Sequence, residues 1–450
     1  MEKVTYRLGN TEVIVHSGYK TIGGNIIEVK YRDGSLIFDI GLNIGLHNQY
    51  FSWPTKKHKG IDELIKLDIA PKVEGLYTRW MKEGEEPDVD YGVDTHIRGV
   101  FISHIHLDHY GLMTQLNRNI PVYMGETGSY IMDLKIRLAR NNKYNNYKEI
   151  NIAKAFRNKQ SIKIDDIKIT PYHVDHSIPG AYSFKIETGD GLIVYTGDYR
   201  LHGQDESLTI DFIENIEGEE IDLFITEGTR VHDVEYTTEN EVRAKLKWVM
   251  ENIDSSVIIE CSPLDIDRFL SILSSAYETG REIFMDEKYF KYIGNYYLND
   301  EKLRRKLDKY SFKDICIGLI DRKKKRDRKN REVIEEMTSY FDHIDPRDIE
   351  RGDIILGVER GIELLDKGIL KPRGIAIFSN SEPFNEEGEI DFNRTINWLT
   401  KYNVPSYRIH ASGHISPIEL RGVIERLRPK DVLVIHSEYP ELVKRMLGYE

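Results

Sequence analysis

Cysteine is nearly absent from this sequence. Only Cys261 and Cys316 occur among 450 residues, which is too few for a disulfide framework or for a zinc site built from thiolates. We therefore expect any metal chemistry to use histidine and carboxylate side chains.

Long apolar segments are absent too. No run approaches the roughly 20 apolar residues of a membrane-spanning helix, and residues 1–17 carry charged side chains where a signal peptide would be apolar. Hydrophobic residues make up 40% of the chain and charged residues 31%, as in ordinary soluble globular proteins. We expect a cytoplasmic protein with no membrane partner.

Positive charge is in deficit. The 63 lysines and arginines are outnumbered by 75 aspartates and glutamates, and the net charge is −12. This balance excludes a protein that coats nucleic acid by charge alone, but it allows a local basic surface. Residues 322–331 hold eight basic side chains and one acidic side chain. They form either an ordinary exposed segment or a contact surface for phosphates.

The length and the apolar pattern indicate two domains. Over the first 230 residues, short segments rich in Val, Ile and Phe alternate with turns, as in the strands of a covered sheet. Helical patterns at 239–252 and 266–279 then alternate with buried strands, which is typical of an α/β unit with a parallel sheet. The lysine-rich segment around 51–81 is weakly periodic, and we interpret it as a surface insertion.

The strongest chemical signal follows an apolar strand and contains His104, His106, Asp108 and His109. A strand that ends in such a loop can direct three imidazoles and a carboxylate at one point, and nitrogen and oxygen ligands suit zinc or a similar divalent ion. Residues at i and i+2 face the same side of an extended segment. His104 and His106 can therefore share one metal, while Asp108 and His109 face a second.

Further candidate ligands lie at the ends of other strands. His173 and His176 follow one strand, and either can complete a set of three histidines for the first metal. Asp198 ends another strand, where its carboxylate can bridge two ions, and His436 ends the last strand. A pair of metals can activate water and hold the oxygens of an in-line displacement at phosphorus. The pattern therefore favours phosphodiester hydrolysis over acyl transfer.

These motifs resemble those of the metallo-β-lactamase superfamily, and specifically of its β-CASP nucleases of the ribonuclease J type. The resemblance covers almost the whole chain. Asp39 matches the first, structural aspartate of the superfamily. The other shared motifs match His104, His106, Asp108, His109, His176 and Asp198.

Three further matches separate the nucleases from small hydrolases of this fold: Glu227, His414 and His436. The resemblance implies that three histidines hold one metal, and that aspartate, histidine and the late His436 hold the other, with Asp198 between them. It makes His176 the ligand and leaves His173 a structural role. The implied cofactors are two Zn²⁺ ions per chain, with Mn²⁺ as the alternative.

The resemblance also implies catalytic roles. Hydroxide held between the metals attacks phosphorus, and the leaving oxygen then needs a proton. His414 is the candidate general acid, and Glu227 is placed to orient it and to raise its pKa. We also count the ligand Asp108 among the catalytic residues.

The implied fold class is α/β, with an αββα metallo-β-lactamase sandwich and an inserted α/β β-CASP domain. The sandwich is expected to comprise residues 1–230 and 404–450, and the insertion residues 231–403. Candidate phosphate contacts lie beside strand ends, where hydroxyl, guanidinium and backbone N–H groups are available. Several of them have an ordinary turn or helix-capping role as an equal alternative. These candidates are Arg200, Ser262, Arg268, Ser379, Ser381, Ser412 and Gly413.

We predict a metal-dependent nuclease that hydrolyses single-stranded RNA, either internally or from a 5′ end. A DNA nuclease of the same group is one alternative, although the presence of His436 speaks against it. A small-molecule hydrolase is disfavoured by the long insertion, and an inactive RNA-binding subunit by the full set of ligands. The sequence leaves open whether the protein forms a homo-oligomer.

Overall fold

The computed structural model describes residues 2–51, 60–77, 95–138, 150, 152–153, 155–232, 236–321, 328–349, 353–371, 373–381 and 386–449. The chain divides into two compact units. Unit 1 comprises Met1–Leu201, Asp205–Val234 and Gly413–Glu450, and unit 2 comprises His202–Gln204 and Glu235–Ser412.

Unit 1 contains two six-stranded sheets. Numbered along the chain, its strands are β1 (Val4–Leu8), β2 (Thr11–Ser17), β3 (Ile26–Tyr31), β4 (Gly34–Phe38), β5 (Ile97–Ile102), β6 (Val122–Met124), β7 (Ile162–Ile164), β8 (Ile167–Val174), β9 (Ala181–Thr188), β10 (Gly191–Tyr195), β11 (Leu223–Glu227) and β19 (Val432–Ile435). The first sheet has the order β1-β2-β3-β4-β5-β6, and the second has the order β19-β11-β10-β9-β8-β7.

Aromatic side chains from both sheets of unit 1 meet between them. Phe38 and Phe101 of the first sheet share one hydrophobic core with Phe184 and Tyr195 of the second. The ring centroids of Phe38 and Phe184 are 5.4 Å apart. Burying a side chain of this size contributes about 1.5–3 kcal/mol, so this layer holds the two sheets face to face.

Unit 1 also contains seven α-helices among the residues that the structure describes. They are α1 (Ile44–Tyr50), α2 (Ile61–Lys66), α3 (Leu107–Tyr110), α4 (Glu126–Leu138), α5 (Glu206–Ile216), α14 (Pro417–Leu427) and α15 (Pro440–Met446). Phe212 of α5, Val423 of α14 and Val443 of α15 pack in one core with Val194 and Phe224 of the second sheet. The layers confirm the predicted αββα sandwich.

The segment between β4 and β5 differs from the expectation of a surface insertion. Residues 52–59 and 78–94 lie outside the described residues. In between, four apolar side chains are buried: Ile61, Leu64, Ile69 and Leu76. The expectation is therefore wrong for this part of the segment, because its apolar side chains are buried in the core of unit 1.

Unit 2 is an α/β unit around one seven-stranded sheet. Its strands are β12 (Val257–Glu260), β13 (Ile283–Asp286), β14 (Cys316–Leu319), β15 (His343–Ile344), β16 (Ile354–Leu356), β17 (Ile375–Phe378) and β18 (Ser406–Arg408). Its helices are α6 (Glu239–Asn252), α7 (Ile266–Thr279), α8 (Glu287–Asn299), α9 (Glu301–Asp308), α10 (Phe312–Ile315), α11 (Arg328–Tyr340), α12 (Val358–Asp366) and α13 (Glu386–Lys401).

All strand pairs of the unit 2 sheet are parallel, in the order β15-β14-β13-β16-β12-β17-β18. The central strands are almost wholly buried, which explains their continuous apolar sequences, because both faces of a parallel sheet are covered. The predicted alternation of helices and parallel strands is therefore present.

The junctions between the units differ from the predicted residues. β18 pairs with β17 through Ala376 and Ser406, so the chain after residue 404 continues unit 2 and returns to unit 1 only at Gly413. His202 belongs to unit 2, where its imidazole donates to the carbonyl of Ser412 at 3.0 Å. The naming of these units as domains of a family stays a prediction.

Two other expectations concern the surface of the chain. In the predicted basic segment, residues 322–327 lie outside the described residues, and residues 328–331 begin α11. Within the described ranges, no helix combines the length and the apolar character that are needed to cross a membrane.

Candidate metal centre

The candidate ligands lie in loops at the ends of strands. His104 comes shortly after β5, Asp198 shortly after β10, Glu227 is the last residue of β11, and His436 follows β19 directly. The strands β10, β11 and β19 are parallel neighbours, so their carboxyl ends meet at one edge of the sheet. The topology of unit 1 therefore gathers side chains that are far apart in the sequence.

Three histidines form the first ligand group. The Nε2 atoms of His104 and His176 each lie 3.0 Å from Nδ1 of His106. One possible ligand nitrogen from each of the three rings lies within 4.8 Å of the other two. These are the three histidines that the resemblance assigns to the first metal.

A second group contains two carboxylates and two histidines: Asp108, His109, Asp198 and His436. Oδ2 of Asp198 lies 3.0 Å from Nε2 of His109 and 3.6 Å from Nε2 of His436. It is also 3.7 Å from Nε2 of His104 in the first group. Asp198 therefore stands between the two groups, as expected of a bridging ligand.

Hydrogen bonds behind the histidines fix which ring nitrogen faces the centre. Nδ1 of His176 donates to the carbonyl of Gly413 at 2.6 Å, and Nδ1 of His109 donates to Oδ2 of Asp39 at 2.7 Å. The hydroxyl of Ser103 donates to Asp39 and can accept from Nδ1 of His104 at 3.1 Å. Each of these rings thus presents an Nε2 lone pair, which is the form that binds metals.

Asp39 is the main support of this arrangement. It is fully buried and accepts four hydrogen bonds, from the backbone and hydroxyl of Ser103, from His109 and from the hydroxyl of Tyr195. Its backbone has φ +60°, a conformation that aspartate tolerates better than most residues. The structural role that the resemblance implies for Asp39 agrees with these contacts.

The pKa values describe neutral imidazoles in the first group and an ionised carboxylate at Asp198. Burial, followed by the neighbouring imidazoles, lowers the pKa of His104 and His176 well below the usual value. Burial alone would raise the pKa of Asp198, but the charges of His109, His436 and His414 hold it well below its usual range. Neutral histidines and ionised aspartates are the protonation states that metal binding requires.

These residues fit divalent cations. Nε2 of His109 and Oδ1 of Asp198 are buried without a hydrogen-bond partner among the described residues, and buried polar atoms rarely remain unpaired. Burial lowers the pKa of His109, but the carboxylates of Asp198, Asp108 and Asp39 raise it well above the usual value. The carboxylates around His109 therefore favour positive charge at this position, as a divalent cation would also provide.

A third group, which joins Asp198 and His436 to Glu227 and His414, is also close enough to hold an ion. Glu227, however, already accepts hydrogen bonds through both oxygens, from the backbone of Tyr199 at 3.1 Å and from Nδ1 of His414 at 2.8 Å. Burial lowers the pKa of His414, but Glu227 and Asp198 outweigh it and raise this pKa to about 9. These contacts favour a proton donor at His414 over a third metal site.

Glycines allow the chain to pack closely around Asp108. A methyl group on Gly41 would lie 1.8 Å from the carbonyl oxygen of Asp108, and one on Gly23 would lie 2.6 Å from its carboxylate. The same carbonyl accepts hydrogen bonds from the backbone N–H groups of Gly24 and Asn25. The backbone of the ligand loop is therefore held by neighbours that leave no room for a side chain.

The two remaining predictions for unit 1 side chains have different outcomes. His173 lies outside the three groups, and its ring stacks on Tyr182 with centroids 5.0 Å apart, which agrees with a structural role. Arg200 is fully buried and pairs with Asp175 at 3.2 Å. This burial is a correction to its placement among the phosphate contacts, because its guanidinium group is occupied inside the protein.

Arg268 and Ser379 of unit 2 are likewise buried and committed to each other. Arg268 forms an ion pair with Glu239 at 2.6 Å and donates to the hydroxyl of Ser379 at 2.9 Å. Ser379 donates to the carbonyl of Ile409. For both residues the structure favours a packing role over the predicted contact with phosphate.

Of the other four candidate phosphate contacts, two are exposed, one is half-buried and one acts through its backbone carbonyl. Ser262 is exposed, and its hydroxyl accepts from the backbone of Leu264 in a turn. Ser381 is exposed at the end of a described segment, and Ser412 is half-buried. Gly413 is buried, and its carbonyl supports His176. Their contacts with a substrate stay predictions.

Three supporting residues escaped the sequence analysis: Ser103, Tyr195 and Thr229. Ser103 and Thr229 lie inside motifs that the resemblance matched, so their positions beside ligands were a usable signal. Tyr195 also lies in such a motif, three positions before Asp198, but its partner Asp39 is 156 positions away in the sequence.

Comparisons with known proteins agree with the fold. Residues 84–255 match the model of the beta-lactamase superfamily domain. Ribonuclease J2 of Bacillus subtilis is 21% identical over 442 residues, which cover 96% of this chain and 70% of that protein. Ribonuclease J of Thermus thermophilus is 25% identical, with 95% and 68% covered, and ribonuclease J of Pyrococcus abyssi is 25% identical, with 94% and 88% covered.

A solved structure supports the fold alone. A protein of unknown function from Enterococcus faecalis V583 superposes with a TM-score of 0.71 at 21% identity, covering 96% of this chain and 95% of that one. The sandwich and the similarity over nearly the whole chain show the metallo-β-lactamase fold and make this chain similar to proteins named ribonuclease J.

Proposed function

We propose that this protein is a metal-dependent nuclease that hydrolyses RNA phosphodiester bonds. The observation that carries the proposal is the position of His414, whose Nδ1 lies 2.8 Å from Glu227 and 3.7 Å from the bridging Asp198. A proton donor thus lies beside two ligand groups. The similarity to proteins named ribonuclease J supports RNA as the substrate.

The residues that would hold the metals follow from the two ligand groups. His104, His106 and His176 would hold the first ion, Asp108, His109 and His436 the second, and Asp198 both. Nitrogen and oxygen donors suit Zn²⁺, and Mn²⁺ is the alternative. When bound, two such ions supply activated water and offset the charge that develops on the phosphate oxygens.

The protein's own side chains would manage the protons. His414 donates through Nδ1 to Glu227, which leaves its Nε2 to carry the proton for the leaving oxygen. Glu227 orients this imidazole and stabilises its charged form. Hydrogen bonds that His109 and His176 donate to Asp39 and Gly413 hold these ligands in the required tautomer.

We infer that unit 2 corresponds to an inserted β-CASP domain of the nucleases. Its seven-stranded parallel sheet and its place in the chain, between β11 and β19, support this assignment. The exposed Ser262 and Ser381 are its candidate phosphate contacts.

Oligonucleotide cleavage tests the proposal directly. Purified protein is incubated with Zn²⁺ or Mn²⁺ and with RNA and DNA of the same sequence, each bearing a 5′-monophosphate or a 5′-hydroxyl. We expect cleavage of RNA that stops when a chelator is added. Mononucleotides from 5′-phosphorylated RNA alone would establish a 5′ exonuclease, and internal fragments would establish an endonuclease.

Other products would point to the alternatives. Equal or faster cleavage of DNA would assign the protein to the DNA nucleases of this fold. If both polymers stay intact while a small ester or cyclic phosphodiester is hydrolysed, the nuclease proposal fails.

A further inference from the structure

Thr229 touches three functional side chains at once. Its Oγ1 lies 2.6 Å from Oε2 of Glu227, 2.9 Å from Nδ1 of His436 and 3.3 Å from Nδ1 of His414. Among the residues that the structure describes, the hydroxyl of Thr229 thus joins a metal ligand of the second group to the pair formed by Glu227 and His414.

Counting protons fixes the direction of these hydrogen bonds. A threonine hydroxyl has one proton to donate and two lone pairs to accept with. The carboxylate of Glu227 can only accept, so the Thr229 proton points to it, with the carbonyl of His436 at 3.2 Å as the other acceptor. In either case Nδ1 of His436 must donate to Thr229.

This direction determines the tautomer of His436. With its proton on Nδ1, the ring directs Nε2 at the second ligand group, 3.0 Å from Oδ2 of Asp108 and 3.6 Å from Oδ2 of Asp198, where a bound ion would take the lone pair of this nitrogen. The backbone of His436 is also constrained, with φ +50° and its N–H bonded to the carbonyl of Gly18. Backbone and hydroxyl together aim one nitrogen at the second ligand group.

We propose that Thr229 is a positioning residue that selects the metal-binding tautomer of His436 and, through Glu227, links this ligand to His414. The proposal deepens the proposed function, since it concerns how the same centre holds its second ion. Hydrogen-bond partners of this kind change metal affinity about 10–100-fold when they are removed.

The test measures metal binding and does not depend on RNA cleavage. Stepwise Zn²⁺ dissociation constants are determined by competition with a chromophoric chelator. In Thr229→Val, which keeps the shape of the side chain but lacks the hydroxyl, we expect the weaker ion to lose about 10–100-fold in affinity. The tighter ion, held by the three histidines of the first group, should be unchanged.

Two variants serve as controls. Thr229→Ser keeps the hydroxyl and should restore the affinity for both ions. Thr170→Val removes a hydroxyl that pairs with Ser161 at 2.8 Å in β8, away from the ligand groups, and should bind both ions normally. The proposal is overturned if Thr229→Val binds both ions like the natural protein, or if Thr229→Ser is weakened as much as Thr229→Val.

The experiments distinguish misfolding from loss of metal affinity, and the role of Thr229 from the nuclease proposal. Circular dichroism identifies misfolded variants, and Thr229→Ala then replaces Thr229→Val in the comparison with Thr229→Ser. If the hydroxyl proves necessary for the second ion while RNA is not cleaved, the role of Thr229 stands and the nuclease proposal fails. If RNA is cleaved and the hydroxyl proves dispensable, only the role of Thr229 fails.

Discussion

At the scale of single residues, a variant of His414 can distinguish proton transfer from metal binding. Its Nδ1 lies 2.8 Å from Glu227, while the three-histidine group does not include it. We expect His414→Gln to keep both ions and to lose about 10²–10⁴-fold in turnover. Asp198→Ala, in contrast, should lose metal and turnover together. Metal content and the cleavage rate are measured for each variant.

His173→Gln is the matched control for His414, because His173 is a half-buried histidine of unit 1 outside the ligand groups. It should cleave RNA at a normal rate. A near-normal rate for His414→Gln would show that another group supplies the proton.

Glu28 provides a residue-scale test of pH dependence. It is buried between His16 and His96, at 2.8 Å and 3.1 Å. Burial would raise its pKa, but hydrogen bonds from His16 and Ser35 and the charge of Lys30 lower it to about 2. The ionised form therefore stabilises the fold above pH ~4.5, and this contribution is lost as the pH falls towards 2.

We therefore expect Glu28→Gln to lower the free energy of unfolding by up to about 3 kcal/mol near neutral pH. The difference from the natural protein should shrink between pH ~4.5 and ~2. Urea unfolding of the chelator-treated protein measures it. Glu12→Gln, on the neighbouring β2, is the control, and a difference that did not change with pH would contradict the assignment.

At the scale of secondary-structure elements, the segment that follows β4 packs closely against the ligand loop that follows β5. The carbonyl of Asp108 in α3 would be only 1.8 Å from a methyl group on Gly41, whereas a methyl group on Gly45 would approach nothing closer than 3.6 Å. We expect Gly41→Ala to displace the ligand loop, to cost about 1–3 kcal/mol of stability and to weaken the second metal.

Thermal unfolding and Zn²⁺ titration measure both effects. Gly45→Ala, a substitution four positions later in the same segment, should leave both quantities almost unchanged. Equal behaviour of the two variants would mean that the loop can move without cost.

Arg268 ties elements of unit 2 together. It extends from α7 to Glu239 of α6, to Ser379 after β17 and to the carbonyl of Ala411. Removing one partner of a buried ion pair typically costs 3–5 kcal/mol, so Arg268→Met should unfold at lower urea concentration. The exposed Arg394→Met should not.

Enzyme kinetics distinguish this structural role from the contact with phosphate predicted from the sequence. At a temperature where Arg268→Met remains folded, we expect a KM for RNA near that of the natural protein. Unchanged stability with a strongly raised KM would return Arg268 to the substrate contacts.

All three ligand groups lie in unit 1, which gives a prediction for the whole molecule. An ion at 1,000 times its dissociation constant stabilises the folded state by about 4 kcal/mol. Chelation should therefore reduce amide hydrogen-exchange protection in β5, β10 and β19, and leave β12 and β16 of unit 2 unchanged. Mass spectrometry with and without chelator measures this, and equal loss of protection in both units would contradict the prediction.

Helices with clear capping residues were predictable from the sequence. The bounds of α6 and α7 are those predicted, because apolar spacing is combined with a capping box at Thr238 and with an aspartate cap and a terminal glycine around α7. The short β16 and the helix α12 were not predicted. Three-residue strands carry almost no periodicity, and Gly361 in the middle of the nine-residue α12 lowers its helix propensity.

The sequence alone determined which side chains could bind metal, because few residue types do so and their spacing after apolar strands is restrictive. Tertiary structure alone decided how they are held. Asp39 meets His109 across 70 positions, Glu227 meets His414 across 187, and Thr229 meets His436 across 207. It also buried Arg200 and Arg268, which looked available for phosphate. A linear pattern records which donors are present, whereas burial and hydrogen-bond direction arise only when the strands are assembled.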